Sequence, residues 1–396
     1  MVVAGGSSFA APAKKAAAPP PPIATYWMDA STQSGLGAGM MGGGARPGLG
    51  DIMSMMNGGG SSFSHTLSLR LASRTKPSGA PEADHFIPAG LQMGASLPLL
   101  TPPPSTPAKA EPYQPGSYQQ PKGRMLIYWG CGDHVAAGQP MVFDFAQMTS
   151  GKVPADIQKM AAMAGRMHST TRSGPSSAPG FGEWPNSRDS RAVPASGSLL
   201  GAHRVKATYA PEMDFTLGAG MDFMPPLGLM DAGPAPSGAD QLRWNLAPTA
   251  TGYALAMFGA AENGDVVMWS SSKSAAFANL DYLSPADVAR EIKAGNVLAP
   301  NVSQCLLPAE VAQAVPAGMV MGIGYGPEGY YSDLPKAPTW TAKVRFKTNG
   351  SVMRGMGAMM GNAGARQQQG DDQPQPPPQR QKRGFGLGGL IGAIPH

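Results

Sequence analysis

The sequence predicts a mainly β protein: one or two antiparallel β-sandwich modules, a few short helices, and long Gly/Pro/Met-rich ends. Three observations lead there. Between residues 63 and 346 apolar and polar side chains alternate with a period of two in segment after segment, as in strands buried on one face. Gly, Pro, Asp or Asn separates these segments, which is the turn punctuation of a sandwich or barrel. Amphipathic helical stretches are few.

The strands follow in order. Phe63, His65, Leu67, Leu69 and Leu71 alternate with Ser64, Thr66, Ser68 and Arg70. Met125, Ile127 and Trp129 then alternate with Leu126 and Tyr128, and Met141, Phe143 and Phe145 with Val142 and Asp144. Val205, Ala207 and Tyr209 face away from Arg204, Lys206 and Thr208, and Met213, Phe215 and Leu217 continue the series. The clearest late strand sets Trp340, Ala342, Val344 and Phe346 against Thr341, Lys343, Arg345 and Lys347. Ile23 to Met28 has the composition of a short edge strand. Two or three helices decorate this core. Residues 155–168 place Ile157, Met160, Met163 and Met167 on one face. Ser284-Pro285-Ala286-Asp287 is a capped start with Pro at the first helical position, Val288 and Ile292 form the apolar stripe, and Gly295 is the stop. A short helical turn is expected after Pro308.

Composition marks the rest. Gly (53) and Pro (41) make up about 24% of the 396 residues, close to the range of low-complexity sequence. Charged residues are 14%, well under the usual share of about 25%, which excludes a charge-driven disordered chain as a description of the whole. No run of 18 apolar residues occurs, so no membrane-spanning helix is expected. The resulting organisation is an unstructured Pro- and Gly/Met-rich segment at 1–60, a β module at 61–150, and a helix with a Ser/Gly/Pro-rich linker at 151–200. A β module at 201–347 and a Gly/Met/Gln/Pro-rich tail at 348–396 complete it. Whether 61–150 and 201–347 form two modules or share a sheet stays open.

Residues 239–325 carry one recognisable pattern. Leu242-Arg-Trp244-Asn-Leu246 precedes Ala250-Thr-Gly252-Tyr253-Ala-Leu255-Ala-Met257, and Asp265-Val-Val-Met-Trp-Ser270 completes the run. This resembles the B, C and C′ strands of a fibronectin type III or related immunoglobulin-like sandwich, with Met319 to Tyr325 as a later strand. The resemblance implies a core position for Trp244 and a strand opened by Gly252-Tyr253. It departs from the family where strand E is expected, since a helix stands at 284–295. A sandwich hosts many functions, so no chemistry follows. The whole, a Gly/Met-rich head before β modules, is similar to exported bacterial proteins.

Several features bear on compartment and partners. Ser8-Phe9-Ala10 has the small-x-small pattern of a signal-peptide cleavage point, so residues 1–10 are read as the remnant of a signal whose start lies upstream; the alternative is an ordinary Ala-rich start. Cys131 and Cys305 are the only cysteines, an even number compatible with a disulfide in an oxidising compartment, and their pairing is left open. The net charge of +5 divides into +4 over residues 1–80 and +6 over 343–396, leaving −5 between them. Basic tails suit anionic partners, yet no patch interleaves bases with aromatics, so no nucleic acid is expected. The apolar C-terminal peptide behind Lys382 and Arg383 suits at most weak peripheral membrane contact.

Candidate chemistry is sparse. Gly-x-Gly-x-x-Gly begins at Gly37, Gly324 and Gly384, but none opens a helix, and no dinucleotide or other cofactor is expected. Nucleophile-elbow and zinc-protease motifs are missing. A hydrolase would need a cleft where several of Asp133, His134, Asp144, Asp189 and His203 converge. The clustered methionines, Met353, Met356, Met359 and Met360 above all, have soft thioether sulfurs that suit Cu(I); Met53, Met55 and Met56, and Met160, Met163 and Met167, form further groups. The expected role is a non-catalytic binding or structural component of a bacterial envelope, periplasmic or secreted, its partner an unidentified protein or envelope component. Periplasmic Cu(I) binding and hydrolysis are the alternatives.

Overall fold

A computed structural model describes residues 20–35, 63–103, 123–145, 174–275 and 281–355. The architecture is mainly β, with few short helices. Its centre is a nine-stranded sheet whose strands come from both ends of the chain. In chain order they are β1 (Ala24–Gly35), β2 (Phe63–Ser73), β5 (Arg124–Trp129), β6 (Met141–Asp144), β7 (Gly180–Trp184), β12 (Gly252–Ala260), β13 (Val266–Ser270), β15 (Gly318–Ser332) and β16 (Trp340–Arg354). Across the sheet the order is β6-β5-β13-β12-β15-β16-β1-β2-β7, antiparallel except where β13 meets β5 and β1 meets β16.

Two smaller sheets cover one face of this sheet. The first contains β3 (Ala83–Phe86), β4 (Ser96–Pro98), β8 (Gly201–Ala207) and β9 (Ala210–Leu217), in the order β4-β3-β8-β9. Its inward side chains, among them Leu97, Val205, Met213 and Phe215, share a core with Tyr26 and Met28 of β1, Leu69 and Leu71 of β2, and Ala342 and Val344 of β16. Leu100, beyond β4, exchanges backbone hydrogen bonds with Glu183 of β7, which closes that flank. The second sheet, β10 (Met230–Pro234), β11 (Asp240–Arg243) and β14 (Gln304–Leu307), has the order β10-β11-β14. It shares a core of Leu242, Trp244, Cys305 and Leu307 with Tyr253, Leu255 and Met257 of β12, Trp269 of β13 and Val320 of β15. The ranges 61–150 and 201–347 thus both contribute strands to the nine-stranded sheet, with β16 running behind both cores.

Helix α1 (Pro285–Ala294) forms as its sequence dictates. The Ser284 hydroxyl accepts the Asp287 amide at 3.1 Å, and Gly295 closes the helix in the left-handed region at φ 78°. It packs on the opposite face of the nine-stranded sheet, where Val288 and Leu283 meet Ala254, Ile323 and Tyr325. That explains why β12 is buried on both sides. Helix α2 (Ala309–Ala314) follows Pro308.

Three expectations need correction. The segment at 23–28 is not an edge strand. β1 runs on to Gly35 and lies near the middle of the sheet, because the polar stretch Asp29 to Ser34 finds buried partners: Arg345 for Asp29, the Met224 carbonyl for Thr32 and the Asn349 carbonyl for Ser34. The 151–200 range is not all linker, since Gly180–Trp184 is a strand. Its glycines allow close approach: a Cβ on Gly182 would stand 2.7 Å from the Tyr209 hydroxyl and 3.0 Å from the Leu99 carbonyl oxygen. The last strand passes residue 347 and ends at Arg354, whose guanidinium pairs with Asp240 and donates to the Ala312 and Val315 carbonyls. The 155–168 helix, the signal remnant and the methionine groups at 53–56 and 160–167 lie outside the described residues.

Candidate functional site

Three polar constellations stand out, each built where strand alternation brings distant residues together. The first lies on the face of the large sheet that carries α1. There β16 turns Lys343, Arg345 and Lys347 outward, and the parallel register sets Trp27 of β1 beside Lys343 and Asp29 beside Arg345. Arg345 donates two hydrogen bonds of 2.6 Å to the two oxygens of Asp29, the planar fork geometry that Lys cannot supply. Its guanidinium carbon sits 4.6 Å from the Trp27 ring centroid and 4.4 Å from that of Tyr282. Lys347 donates to Asp281 at 2.8 Å over the Tyr282 ring, and Lys343 pairs with Glu328 at 3.1 Å. Burial pulls the Arg345 guanidinium toward neutrality, but its hydrogen bonds to Asp29 and the nearby acidic groups outweigh this and hold it above its ordinary value. Burial likewise lifts the Tyr282 phenol well above its usual range. Cations matched by carboxylates and flanked by rings make a cross-linked staple.

The second constellation is a buried chain of hydrogen bonds in the core beneath β3 and β8. Tyr26 Oη lies 2.8 Å from His85 Nδ1, His85 Nε2 lies 3.0 Å from His203 Nδ1, and His203 Nε2 lies 2.7 Å from the Leu199 carbonyl. A carbonyl only accepts, so His203 Nε2 carries its proton and His203 Nδ1 accepts from His85 Nε2. His85 Nδ1 then accepts from the tyrosine, whose phenol is held protonated by burial. Three protons serve three contacts, so the chain is complete with both imidazoles neutral. Burial pushes both histidines below their ordinary value, His85 furthest, with the neighbouring His203 adding to the effect.

Nearby, His65 has the opposite balance. Its Nε2 is 3.0 Å from the Ala195 carbonyl and its Nδ1 is 3.1 Å from Thr32 Oγ1, while that hydroxyl donates to the Met224 carbonyl at 2.6 Å. Two protons serve three contacts unless the imidazole carries both of its own. Burial lowers His65, against the Ala195 carbonyl and the Asp222 carboxylate, which raise it.

The third constellation is the loop after β5. Cys131 is disulfide-bonded to Cys305 of β14, with Cα atoms 5.3 Å apart, so the bond joins the large sheet to the three-stranded one. Around it Asp133 accepts from the Ser237 hydroxyl, His134 Nδ1 lies 3.0 Å from Glu310, and Glu310 also accepts the Val135 amide at 3.1 Å. Trp269, buried behind the loop, donates to the Gly130 carbonyl at 2.9 Å.

The five candidates for a hydrolase cleft are dispersed. Asp133 and His134 stay in this exposed loop, Asp144 ends β6, Asp189 pairs with Arg191 at 2.9 Å in a turn after β7, and His203 is sealed in the other core. Among the described residues, no three His, Cys, Asp or Glu side chains are grouped to hold a metal ion. Of the four Cu(I) candidates, Met353 lies in β16 opposite Met319 of β15, and Met356, Met359 and Met360 lie outside the described residues. Sequence reasoning placed Lys343, Arg345 and Lys347 on one strand face. It missed Trp27, Asp29 and Tyr282, whose only signal was an acid and aromatics at distant positions that pairing alone unites. No protein-family model, curated protein or solved structure matches the chain.

Proposed function

We propose that this protein is a non-catalytic structural or binding component exported to a bacterial cell envelope, with a fibronectin type III-like sandwich at its C-terminal half. The observation that carries the reading is the cross-layer disulfide Cys131–Cys305, a bond that persists in oxidising compartments and is rare where thiols are kept reduced. Strand order supports the sandwich assignment. β10-β11-β14 faces β13-β12-β15-β16, the order of strands A, B and E against C′, C, F and G in the immunoglobulin-like class. Trp244 and Tyr253 face each other between those layers with ring centroids 5.7 Å apart. The charged groups found together are paired with one another, which suits a rigid scaffold better than a reaction centre.

The test is fractionation of the native cell with thiol mapping. We expect the protein in the periplasmic, envelope or secreted fraction, with Cys131 and Cys305 resistant to alkylation until reduced. Recovery from the cytosol with both thiols free would sink the reading.

A further inference from the structure

We propose that the β1–β16 pairing makes the folded unit a load-bearing link, resisting in shear any pull between the chain that enters at Pro20 and the chain that leaves after Arg354. The inference rests on strand geometry and holds whichever compartment the protein occupies.

β1 and β16 are parallel and in register over twelve residue pairs, from Ala24 beside Trp340 to Gly35 beside Ser351. The chain therefore enters β1 at one end of the ladder and leaves β16 at the other. A pull on those two points draws the strands past each other along their common axis. The ladder hydrogen bonds, evenly spaced and slanted across that axis as in any parallel pair, are loaded together. A pull applied to both strands at the same end would instead break them one or two at a time.

Side chains oppose the slip on both faces. On the inner face Tyr26 and Met28 are buried with Ala342 and Val344, and a one-residue slide would turn each of these toward the wrong side. On the outer face the two hydrogen bonds from Arg345 to Asp29 tie the strands, and the guanidinium is held between Trp27 and Tyr282. Both exits are latched as well. The Ile23 amide donates to Thr339 at 2.7 Å and Arg74 donates to the Pro21 carbonyl at 2.7 Å, while Arg354 is held by Asp240, Ala312 and Val315. The pair sits inside the sheet between β15 and β2, so neither strand can peel from an edge. β1 lies outside the seven strands from β10 to β16, so the clamp is an addition to the sandwich.

Single-molecule pulling on the full chain tests this in two geometries. In one, handles are attached at the two chain ends. In the other, the second handle is attached through Lys336→Cys, an exposed position just before β16, where load enters both strands at the same end. The introduced thiol is the only reactive one, because the native cysteines are bonded to each other. We expect the end-to-end pull to give one dominant rupture at several-fold the force of the Lys336 pull. With the disulfide intact, that rupture should release roughly 560 Å of chain, since the bond holds 174 of the roughly 330 residues from Ala24 to Arg354 out of the load path. Equal forces in the two geometries, or an end-to-end trace made of low-force steps, would overturn the proposal.

Discussion

Beneath β4-β3-β8-β9 the core admits polar groups: His85 with His203, and His65 with Thr32, are buried there as two hydrogen-bonded pairs. Beneath β10-β11-β14 the core is Trp244, Tyr253, Trp269 and aliphatics, and a covalent bond ties the layers. Both are closed by the same long strand, so the difference lies in what fills the space. The first core depends on where its protons sit, and the second on area and a cross-link. The first should therefore respond to pH and the second to reductant.

The largest expected effect sharpens that contrast. Opening the Cys131–Cys305 loop of 174 residues should cost about 5 kcal/mol in the chain-entropy picture. Denaturant unfolding of the Cys131→Ser, Cys305→Ser double variant measures it. Amide exchange should rise first in β10, β11 and β14, and faster exchange confined to β3 and β8 would break the comparison. Asp29→Ala comes next, because it leaves Arg345 buried without its carboxylate and should cost about 3–5 kcal/mol. Since β1 and β16 serve the whole sheet, both cores should loosen together in the same exchange experiment.

Smaller effects probe the histidine core alone. Tyr26→Phe removes the donor to His85 Nδ1 and should cost about 1–3 kcal/mol, read as a shifted urea midpoint at unchanged slope. Acid should act in the same place. His85 and His203 are lowered from the ordinary 6.5 by burial, so the unfolded chain binds protons that the folded one refuses. Their contribution to stability is full above about pH 6.5 and is lost as pH falls from there toward the depressed folded values. Unfolding at pH 7.5 and pH 5 measures it, and a flat profile would remove the buried-neutral assignment. The finest prediction separates the histidines from each other. His65, one proton short of a complete set of contacts, should titrate at higher pH than His85 when followed by NMR of the ring protons.

Legibility in the sequence followed burial on one face. Trp340 to Phe346 could be read because every second residue is apolar, and the structure buries those four. The Ser284 cap and Gly295 stop could be read because caps are local chemistry. The continuation of β1 was hidden because Asp29, Thr32 and Ser34 look solvent-facing until partners from residues 224, 345 and 349 reach them. β7 was hidden because Gly180 and Gly182, demanded by the ring of Tyr209 pressing on them, resemble linker glycines. The outer staple was half visible, its cations alternating along one strand while their partners lay as many as 316 residues away.

The long final strand also sets the order of events during synthesis. The parallel neighbour of β1 is made more than 300 residues after it, so β1 must wait through that whole interval for its partner. Until residue 354 has emerged, one margin of β1 is an open template for any extended polypeptide nearby. A nascent chain of this kind needs its early segments shielded, and a truncation that removes β16 leaves both halves without the partition they share.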